Sequence, residues 1–293
     1  MNALAELAAR SYSGAIVELI QEQERLIVVK HYDAEDPRSM RCIQKQVDFQ
    51  PLTVGGLQVC SARVLEISRQ ERTIKLVMQY YEGMSGENFA IHGDRSSAST
   101  LERSLSALIE RNVKNSVSYK VSGEPFLKKL AEVIEKSNGH PQLFNILNAT
   151  HSKISTYFEV SKSVDILIGP CHGDLTLSNI ILNPAERLVL VDYLDTFFES
   201  PLQDVAKLNQ DLLLGWSTRH ENNNLRIKSE IFNSAAYPSY AKKIHKDFGP
   251  ATDILLLLCL ARIAPYVHED PVTLGWLVRA LSDRLQAFNQ ASR

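Results

Sequence analysis

Two hydrophobic patterns divide the chain. In roughly its first quarter, short apolar runs alternate with polar turns, which is typical of β-strands joined by tight connections. Between the second and third runs, Asp36-Pro37 predicts the start of a helix with Met40, Ile43 and Val47 on its apolar face. We expect an antiparallel sheet of five strands, preceded by a short helix, and the apolar runs place four of these strands. The segments concerned are a helix over Leu4–Arg10 and strands over Ala15–Ile20, Arg25–Tyr32, Leu57–Ile67 and Arg72–Gln79.

Helical spacing dominates from Ser97 onward. Apolar residues recur every three or four positions, with proline at the start of several segments. The change of pattern near Gly83 predicts a boundary between a domain over residues 1–83 and a second domain over residues 84–293. The helical segments begin near Ser99, Glu124, Pro141, Ala251 and Pro271.

One stretch, residues 166–206, departs from this helical pattern. An apolar run ends at Cys171, and a polar loop follows from His172 to Asn179. Two short apolar runs then flank an Asn-Pro turn, which predicts a hairpin, and the second run ends at Asp192. The pattern therefore predicts polar side chains gathered where apolar strands end.

The polar residues of this stretch have complementary chemistry. Asp174, in a loop, can accept a proton from a hydroxyl group. Asn179 and Asp192 offer the hard oxygen ligands that Mg²⁺ prefers. Together they could hold a metal–ATP complex in line with an alcohol.

The spacing His172-Gly-Asp174-Leu-x-x-x-Asn179, followed by Val191-Asp192-Tyr193, resembles the catalytic loop and the metal-binding aspartate of kinases. Gly173 stands where protein kinases carry arginine. The stretch looks like that of the aminoglycoside phosphotransferase and choline kinase family of protein-kinase-like small-molecule kinases. Asp204 is followed by Val-Ala at the start of an apolar helix. In this position it resembles the family's buried aspartate, which anchors the catalytic loop.

The resemblance covers essentially the whole chain. It implies an α+β, protein-kinase-like two-lobed fold, with a small antiparallel-sheet N-lobe and a larger, mainly helical C-lobe. It also implies transfer of the γ-phosphoryl group of ATP to a small-molecule hydroxyl, with Asp174 as the catalytic residue and Asn179 and Asp192 as Mg²⁺ ligands.

The N-terminal region supplies the nucleotide contacts that the resemblance implies. Lys30 ends Ile-Val-Val-Lys, similar to the kinase strand whose lysine binds the phosphates. Ser13 would lie over the ATP phosphates, and the backbone of Gln79 and Tyr81 would contact adenine. The helix after Lys30 lacks the glutamate that pairs with this lysine in protein kinases, and Gln46 is the candidate for a neutral replacement.

The composition of the chain indicates which classes of partner the protein binds. The 293 residues are 44% hydrophobic and 23% charged, and the net charge of −2 gives no broad basic surface for nucleic acid. The longest apolar run, Ile254–Ala261, is too short for a membrane span, and the N-terminus lacks a secretory signal pattern. Four cysteines show no C-x-x-C spacing, so we expect reduced thiols and a cytoplasmic protein that binds neither nucleic acid nor membrane. The same spacing disfavours Cys171 as a nucleophile or zinc ligand.

Several alternatives stay open. A protein kinase is disfavoured, because Thr176 occupies the position of the lysine found in Ser/Thr kinases and too few residues separate Asp192 from Asp204 for an activation loop. A nucleotide-binding pseudokinase or scaffold is the alternative from another class. Asp195 is either a ligand of a second metal or a turn-capping residue. The oligomeric state is open, as is the acceptor: a sugar, polyol, amino alcohol or aminoglycoside. Resemblance of residues 192–201 to phosphotransferases associated with surface-polysaccharide synthesis favours a sugar or polyol.

Overall fold

The first sheet contains four antiparallel strands in the order β1-β2-β6-β5. Its central strands are β2 (Arg25–Asp33) and β6 (Thr73–Gln79), flanked by β1 (Ile16–Glu22) and β5 (Val64–Gln70). The structure, a computed structural model, describes residues 16–22, 25–137, 140–183, 187–267 and 269–291. The predicted helix over residues 4–10 lies outside this part of the chain.

A second sheet has five strands in the order β3-β4-β11-β10-β7. The predicted hairpin of residues 180–191 is confirmed: β10 and β11 are antiparallel, with Ile180 opposite Leu190. Strand β11 is parallel to β4, so this sheet is mixed. The strands are β3 (Leu52–Val54), β4 (Leu57–Ser61), β7 (Met84–Ser85), β10 (Ile180–Asn183) and β11 (Arg187–Leu190).

The single strand predicted over Leu57–Ile67 is wrong, and so is the single five-stranded sheet. The segment forms β4 and β5, which belong to different sheets. Ala62 still donates its N–H to the carbonyl of Leu190, whereas the carbonyl of Arg63 accepts from Gln79. The chain thus changes sheet between two consecutive residues, and an unbroken apolar pattern does not reveal such a change.

Helix α1 (Pro37–Asp48) begins as the sequence predicts. Asp36 caps it by accepting a hydrogen bond from the N–H of Arg38, and Pro37 follows directly. The predicted buried face is only partly right, since Ile43 is buried but Met40 and Val47 are exposed. The helix buries a stripe rotated toward small and polar side chains, at Ser39, Cys42, Ile43 and Gln46.

The hairpin joins the N-terminal sheets in one compact unit. This unit runs to Gly86 and also takes in Ser178–Phe197. Its core combines residues of α1, β4 and β6 with Val189 of the hairpin. The hairpin belongs to this unit because β11 is hydrogen-bonded to β4 and β10 to β7.

The second unit, Glu87–Leu177 with Phe198–Arg293, is mainly helical. A two-stranded antiparallel sheet, β8 (Val117–Ser122) with β9 (Ser163–Ile168), leads into the loop at His172. The helices are α2 (Gly86–His92), α3 (Arg95–Lys114), α4 (Glu124–Lys136), α5 (Pro141–Ser161), α6 (Pro201–Leu208), α7 (Asn223–Ala236), α8 (Ser239–Ala261) and α9 (Pro271–Ala291). The apolar helix α8 packs against α3, α6 and α9.

Helix α8 has two parts. Phe248 has non-helical angles two residues before Pro250, whose ring and missing backbone donor disrupt the preceding turn of a helix. Judged by length and composition, Ser239–Tyr266 could cross a membrane, but 61% of its most apolar window is buried inside the fold. The core helices of globular domains meet the same criteria.

Two glycines offer a test of packing in this fold. A Cβ at Gly83 would lie 2.5 Å from the carbonyl oxygen of Leu182, whereas a Cβ at Gly275, in α9, would meet no heavy atom within 4 Å. We expect Gly83→Ala to lower the free energy of unfolding by about 1–3 kcal/mol through overpacking. Gly275→Ala should raise it by about 0.5–1 kcal/mol, since alanine favours the helix.

Urea unfolding followed by circular dichroism measures both changes. A Gly83→Ala variant as stable as the parent would contradict the close approach of Gly83 to β10.

Candidate active site

The loop after β9 turns sharply before Asp174. Gly173 has φ +92°, a left-handed conformation that side chains with a Cβ rarely adopt. This accounts for glycine at a position where protein kinases carry arginine. The N–H of Asp174 donates to Nδ1 of His172 at 3.2 Å, so the ring accepts there and a neutral His172 carries its proton on Nε2.

Asp204 anchors this loop, as its resemblance to the family's buried aspartate predicts. Its carboxylate is buried, and it accepts the N–H groups of His172 and Gly173, each at 2.8 Å. Helix α6 positions it: Ser200 caps the helix and Pro201 occupies its first turn. The backbone before Asp174 is therefore fixed by two charge-assisted hydrogen bonds.

Asp211 holds the other end of the loop. It lies in a π-helical segment, Asn209–Leu213, that continues α6. Its carboxylate accepts the N–H of Leu177 at 2.6 Å and that of Ser217 at 2.9 Å. Burial raises the pKa of Asp211 above its usual range, and the hydrogen bonds from Ser217 and Leu177 oppose that shift.

Asp174 has a cationic partner that the sequence reasoning missed. Nζ of Lys207 lies 2.9 Å from Oδ1 of Asp174, and the two side chains are 16% and 23% exposed. Burial disfavours the charged form of Lys207, but the Asp174 carboxylate outweighs this and raises the pKa of the lysine. A sequence signal exists: Lys207 stands three residues after Asp204 in Asp-Val-Ala-Lys, on the same face of the helix.

The hairpin positions Asn179 and Asp192 at one end of its two strands. Asn179 directly precedes β10, and its carbonyl accepts the N–H of Val191 at 3.1 Å. Asp192 follows at the end of the returning strand with φ +59°, an uncommon conformation for a residue other than glycine. Left-handed backbone outside glycine costs free energy and concentrates at functional sites.

Lys30 pairs with Asp192. Its Nζ lies 2.8 Å from Oδ1 of the aspartate; the lysine is 2% exposed and the aspartate 45%. Burial disfavours the ammonium, but Asp192 outweighs it, so the pKa of Lys30 is raised. The ring centroid of Tyr32 lies 5.1 Å from the same ammonium.

The expectation that Gln46 positions Lys30 is wrong. The amide nitrogen of Gln46 donates to the carbonyl of Ala62 at 2.8 Å and contacts Sδ of Met78 at 3.0 Å. These contacts hold α1 to Ala62, between β4 and β5, and to β6. The aspartate at the end of the hairpin takes the place of the missing glutamate as the partner of Lys30.

The structure leaves different backbone groups open for adenine at Gln79 and at Tyr81. The N–H of Gln79 is already bonded to the carbonyl of Arg63 at 2.9 Å, so adenine could use only its carbonyl. The side chain of Tyr81 belongs to the core, while its backbone N–H makes no hydrogen bond within the described residues. Both contacts stay predictions, and Ser13 lies outside the described residues.

Asp195 is engaged in an ion pair. Its two carboxylate oxygens accept from Nε and Nη2 of Arg41 at 2.9 and 2.7 Å, and its N–H donates to Sγ of Cys42. This bidentate contact favours a structural role over a second metal site. Cys171 donates to Glu199 at 3.3 Å. Within the residues that the structure describes, no three His, Cys, Asp or Glu side chains cluster as metal ligands.

Solved structures share this fold across nearly the whole chain. One is a thermostable mutant of aminoglycoside phosphotransferase APH(4)-Ia in a ternary complex with ADP and hygromycin B. It has 10% sequence identity and a TM-score of 0.57, and the alignment covers 98% of this chain and 99% of that one. Another is spectinomycin phosphotransferase APH(9)-Ia with ADP and spectinomycin, at 10% identity and a TM-score of 0.50, covering 94% and 90%.

The comparisons confirm the predicted α+β fold with a small antiparallel-sheet region and a larger helical part. At this identity the likeness concerns the fold alone. No protein-family model matches the sequence, and neither does any curated protein.

The anchoring role of Asp204 can be tested with Asp204→Asn. The variant replaces one accepting oxygen by an NH₂ group that faces a backbone donor, so a buried N–H loses its partner. We expect a loss of about 2–3 kcal/mol in the free energy of unfolding and faster hydrogen exchange at Gly173. Urea titration and amide exchange measure these effects.

The matched control is Asp94→Asn. Asp94 also accepts a backbone N–H, that of Ser97, but at the exposed N-cap of α3, where asparagine serves equally well. Its stability should be unchanged. If Asp204→Asn and Asp94→Asn changed the free energy of unfolding equally, the special role of the buried Asp204 carboxylate would be refuted.

Proposed function

We propose that this protein is an ATP- and Mg²⁺-dependent kinase that phosphorylates a hydroxyl group of a small molecule. The observation that carries the proposal is the Lys30–Asp192 ion pair. A buried lysine and a half-exposed aspartate at 2.8 Å offer a cation for phosphate oxygens and an anion for a metal ion. The ADP complexes of the two structural relatives support a nucleotide as the ligand.

The donor set at the hairpin end fits Mg²⁺. An amide oxygen of Asn179 and a carboxylate of Asp192 are hard ligands, and Mg²⁺ typically takes one or two such protein ligands while keeping waters and substrate phosphates. Oδ1 of Asp192 accepts from Lys30, and its second oxygen is the proposed metal ligand. When bound, the ion would neutralise charge on the phosphate oxygens.

Asp174 is the proposed catalytic residue. The acceptor oxygen forms a bond to the γ-phosphorus as the bond from that phosphorus to the bridging oxygen breaks, releasing ADP. The hydroxyl proton passes to the Asp174 carboxylate. A carboxylate has about four acceptor positions, so the contact of Oδ1 with Lys207 does not exhaust its capacity.

A cationic acceptor would favour an acidic or aromatic pocket, and Asp195, Trp216 and Tyr237 are candidate contributors from the sequence, but each of these side chains is engaged elsewhere. Asp195 is neutralised by Arg41, and the hydroxyl of Tyr237 donates to Asn209 at 2.6 Å. The Arg219 guanidinium lies 3.7 Å from the ring centroid of Trp216, so that ring face already holds a cation. These contacts weaken the case for a cationic acceptor. A neutral sugar or polyol is therefore the proposed substrate class, with a role in surface-polysaccharide metabolism and a cytoplasmic location.

The alternative is a nucleotide-binding pseudokinase or scaffold. One observation favours it: Gln46 contacts Ala62, so α1 gives Lys30 no partner of the kind that kinases use. Nucleotide binding without turnover would distinguish it from an active enzyme.

The activity test is ADP release by the purified protein with Mg²⁺-ATP and a panel of sugars, polyols, amino alcohols and aminoglycosides. We expect acceptor-dependent turnover, and Asp174→Asn should lower kcat by about 10²–10⁴-fold, the usual contribution of a general base. Nucleotide affinity should be retained.

Asp165→Asn is the control. Asp165 also pairs with a lysine, Lys120 at 3.3 Å, but both side chains are exposed. Wild-type turnover in Asp174→Asn would overturn the assignment of the catalytic residue.

The metal assignment is tested by Asp192→Asn. Asparagine tolerates left-handed backbone, so the conformation at this position should survive while the anionic ligand is lost. We expect Mg²⁺-dependent ATP binding to weaken at least about tenfold, as measured by calorimetry with and without Mg²⁺.

Asp195→Asn is the matched control, three residues further on. It loses an ion pair with an exposed arginine, and its Mg²⁺-dependent binding should match that of the parent. If Asp195→Asn weakens binding and Asp192→Asn does not, the metal ligand has been misassigned.

A further inference from the structure

Lys207 is an unusual residue for its helix. Every other residue of α6 is buried, and the chain places one long cationic side chain among them. Its ion-pair partner in the described part of the chain is Asp174, at 2.9 Å. A lysine in such surroundings costs desolvation free energy that a leucine would not, so its presence calls for a reason.

We propose that Lys207 is a positioning residue that keeps the Asp174 carboxylate ionised and oriented toward the acceptor hydroxyl. The inference rests on the proposed function. It assigns a residue outside the motif formed by His172, Asp174, Asn179 and Asp192 to the same chemistry.

Holding the loop in place does not require Lys207. Asp204 already binds the backbone of His172 and Gly173, and Asp211 binds the N–H of Leu177. Lys207 instead contacts the side chain of Asp174. Residues 204, 207 and 211, spaced three and four apart, thus hold the loop before, at and after the reactive carboxylate.

The electrostatic surroundings keep Lys207 charged. Besides Asp174, the groups that act on it are Cys259 of α8 and Arg262, and the buried Asp211 also interacts with Asp174. Burial and Arg262 disfavour the ammonium, but Asp174 outweighs both, so the pKa of Lys207 lies above its usual value of 10.5. While Asp174 is ionised, the stabilising contribution of Lys207 is therefore complete below pH 10.5, and it is lost as the pH rises through that higher value.

A permanent cation at 2.9 Å favours the ionised carboxylate over the protonated one. In phosphoryl transfer, positioning and electrostatic stabilisation account for most of the catalysis. An ionised, fixed acceptor of a hydrogen bond suits this reaction. Without the cation, the ionised carboxylate would lose this stabilisation, and the side chain of Asp174 would lose a contact that orients it.

The test compares Lys207→Met and Lys207→Arg in the parent and in Asp174→Asn, with Mg²⁺-ATP turnover measured with the acceptor panel and with water alone. In the parent, Lys207→Met should lower kcat about 10–100-fold, leave KM for ATP within about twofold, and move the acidic limb of the pH–rate profile to higher pH. Lys207→Arg, which keeps the charge, should recover most of the loss.

In Asp174→Asn, Lys207→Met should cause no further loss, because Lys207 acts through the carboxylate that is gone. Lys129→Met is the control, since Lys129 pairs with Glu132 at 3.0 Å on α4 and should behave as the parent. If Lys207→Met is insoluble, Lys207→Gln, which keeps a donor without the charge, undergoes the same measurements.

Three results would overturn the inference while leaving the proposed function intact. The first is a Lys207→Met variant with the kcat and pH profile of the parent. The second is a loss of kcat on Lys207→Met that is as large in Asp174→Asn as in the parent, and the third is a Lys207→Met variant in which only KM rises. A parent protein that binds Mg²⁺-ATP but turns over none of it with any acceptor or with water would instead overturn the proposed function, and the inference with it.

Discussion

The buried carboxylate of Asp204 is the constraint on which the candidate active site depends. A charged group inside a protein is tolerated only when hydrogen bonds replace the water it has lost. Here two consecutive backbone N–H groups do so, at His172 and Gly173, each at 2.8 Å. The same contacts satisfy two donors that the sharp turn at Gly173 would otherwise leave unpaired. Helix α6 and the loop thus stabilise each other, and Asp174 is the next residue of the loop after Gly173.

The hairpin imposes a second constraint, within the first unit. Its ladder ends with Asn179 and Val191 opposite each other, and Asp192 then adopts a left-handed backbone. Such a conformation persists only when the surroundings hold it. The contact with Lys30 is one of the interactions that do so. The strand carrying Lys30 is central in its sheet, so the backbone at Lys30 is held by paired strands on both sides.

Much of this could be predicted because it follows from local rules. The hairpin was evident from two apolar runs around an Asn-Pro turn, and the anchoring role of Asp204 from its place in a motif. The buried face of α1 could not be predicted, since the helix buries Ser39 and Gln46 rather than Met40 and Val47. Nor could the change of sheet at Ala62, because an extended segment looks the same in one sheet or two.

Long-range partners could not be predicted from the sequence either. Gln46 was a reasonable candidate for Lys30 by spacing along the helix, yet it bonds to Ala62, and the partner lies 162 residues away at Asp192. Lys207 cannot be assigned from a sequence motif, because a motif contains the residues around a reactive group and not a charge supplied by another element. The helical spacing from Asp204 was visible, but its meaning depended on knowing that Asp204 faces the loop.

The two lysine–aspartate pairs differ in a way that affects how variants must be interpreted. Lys30 is almost fully buried while Asp192 is nearly half exposed. Removing the aspartate would therefore strand a buried cation, at a cost of several kcal/mol, whereas removing the lysine leaves a carboxylate that water can reach. Lys207 and Asp174 are exposed to similar extents, at 16% and 23%, so neither removal strands a fully buried charge. A loss of activity on substitution of Asp174 or Lys207 consequently reports on the chemistry more directly than a loss on substitution of Asp192. At Asp192, asparagine keeps a hydrogen-bond acceptor for Lys30, so this substitution separates the loss of the metal ligand from the loss of stability.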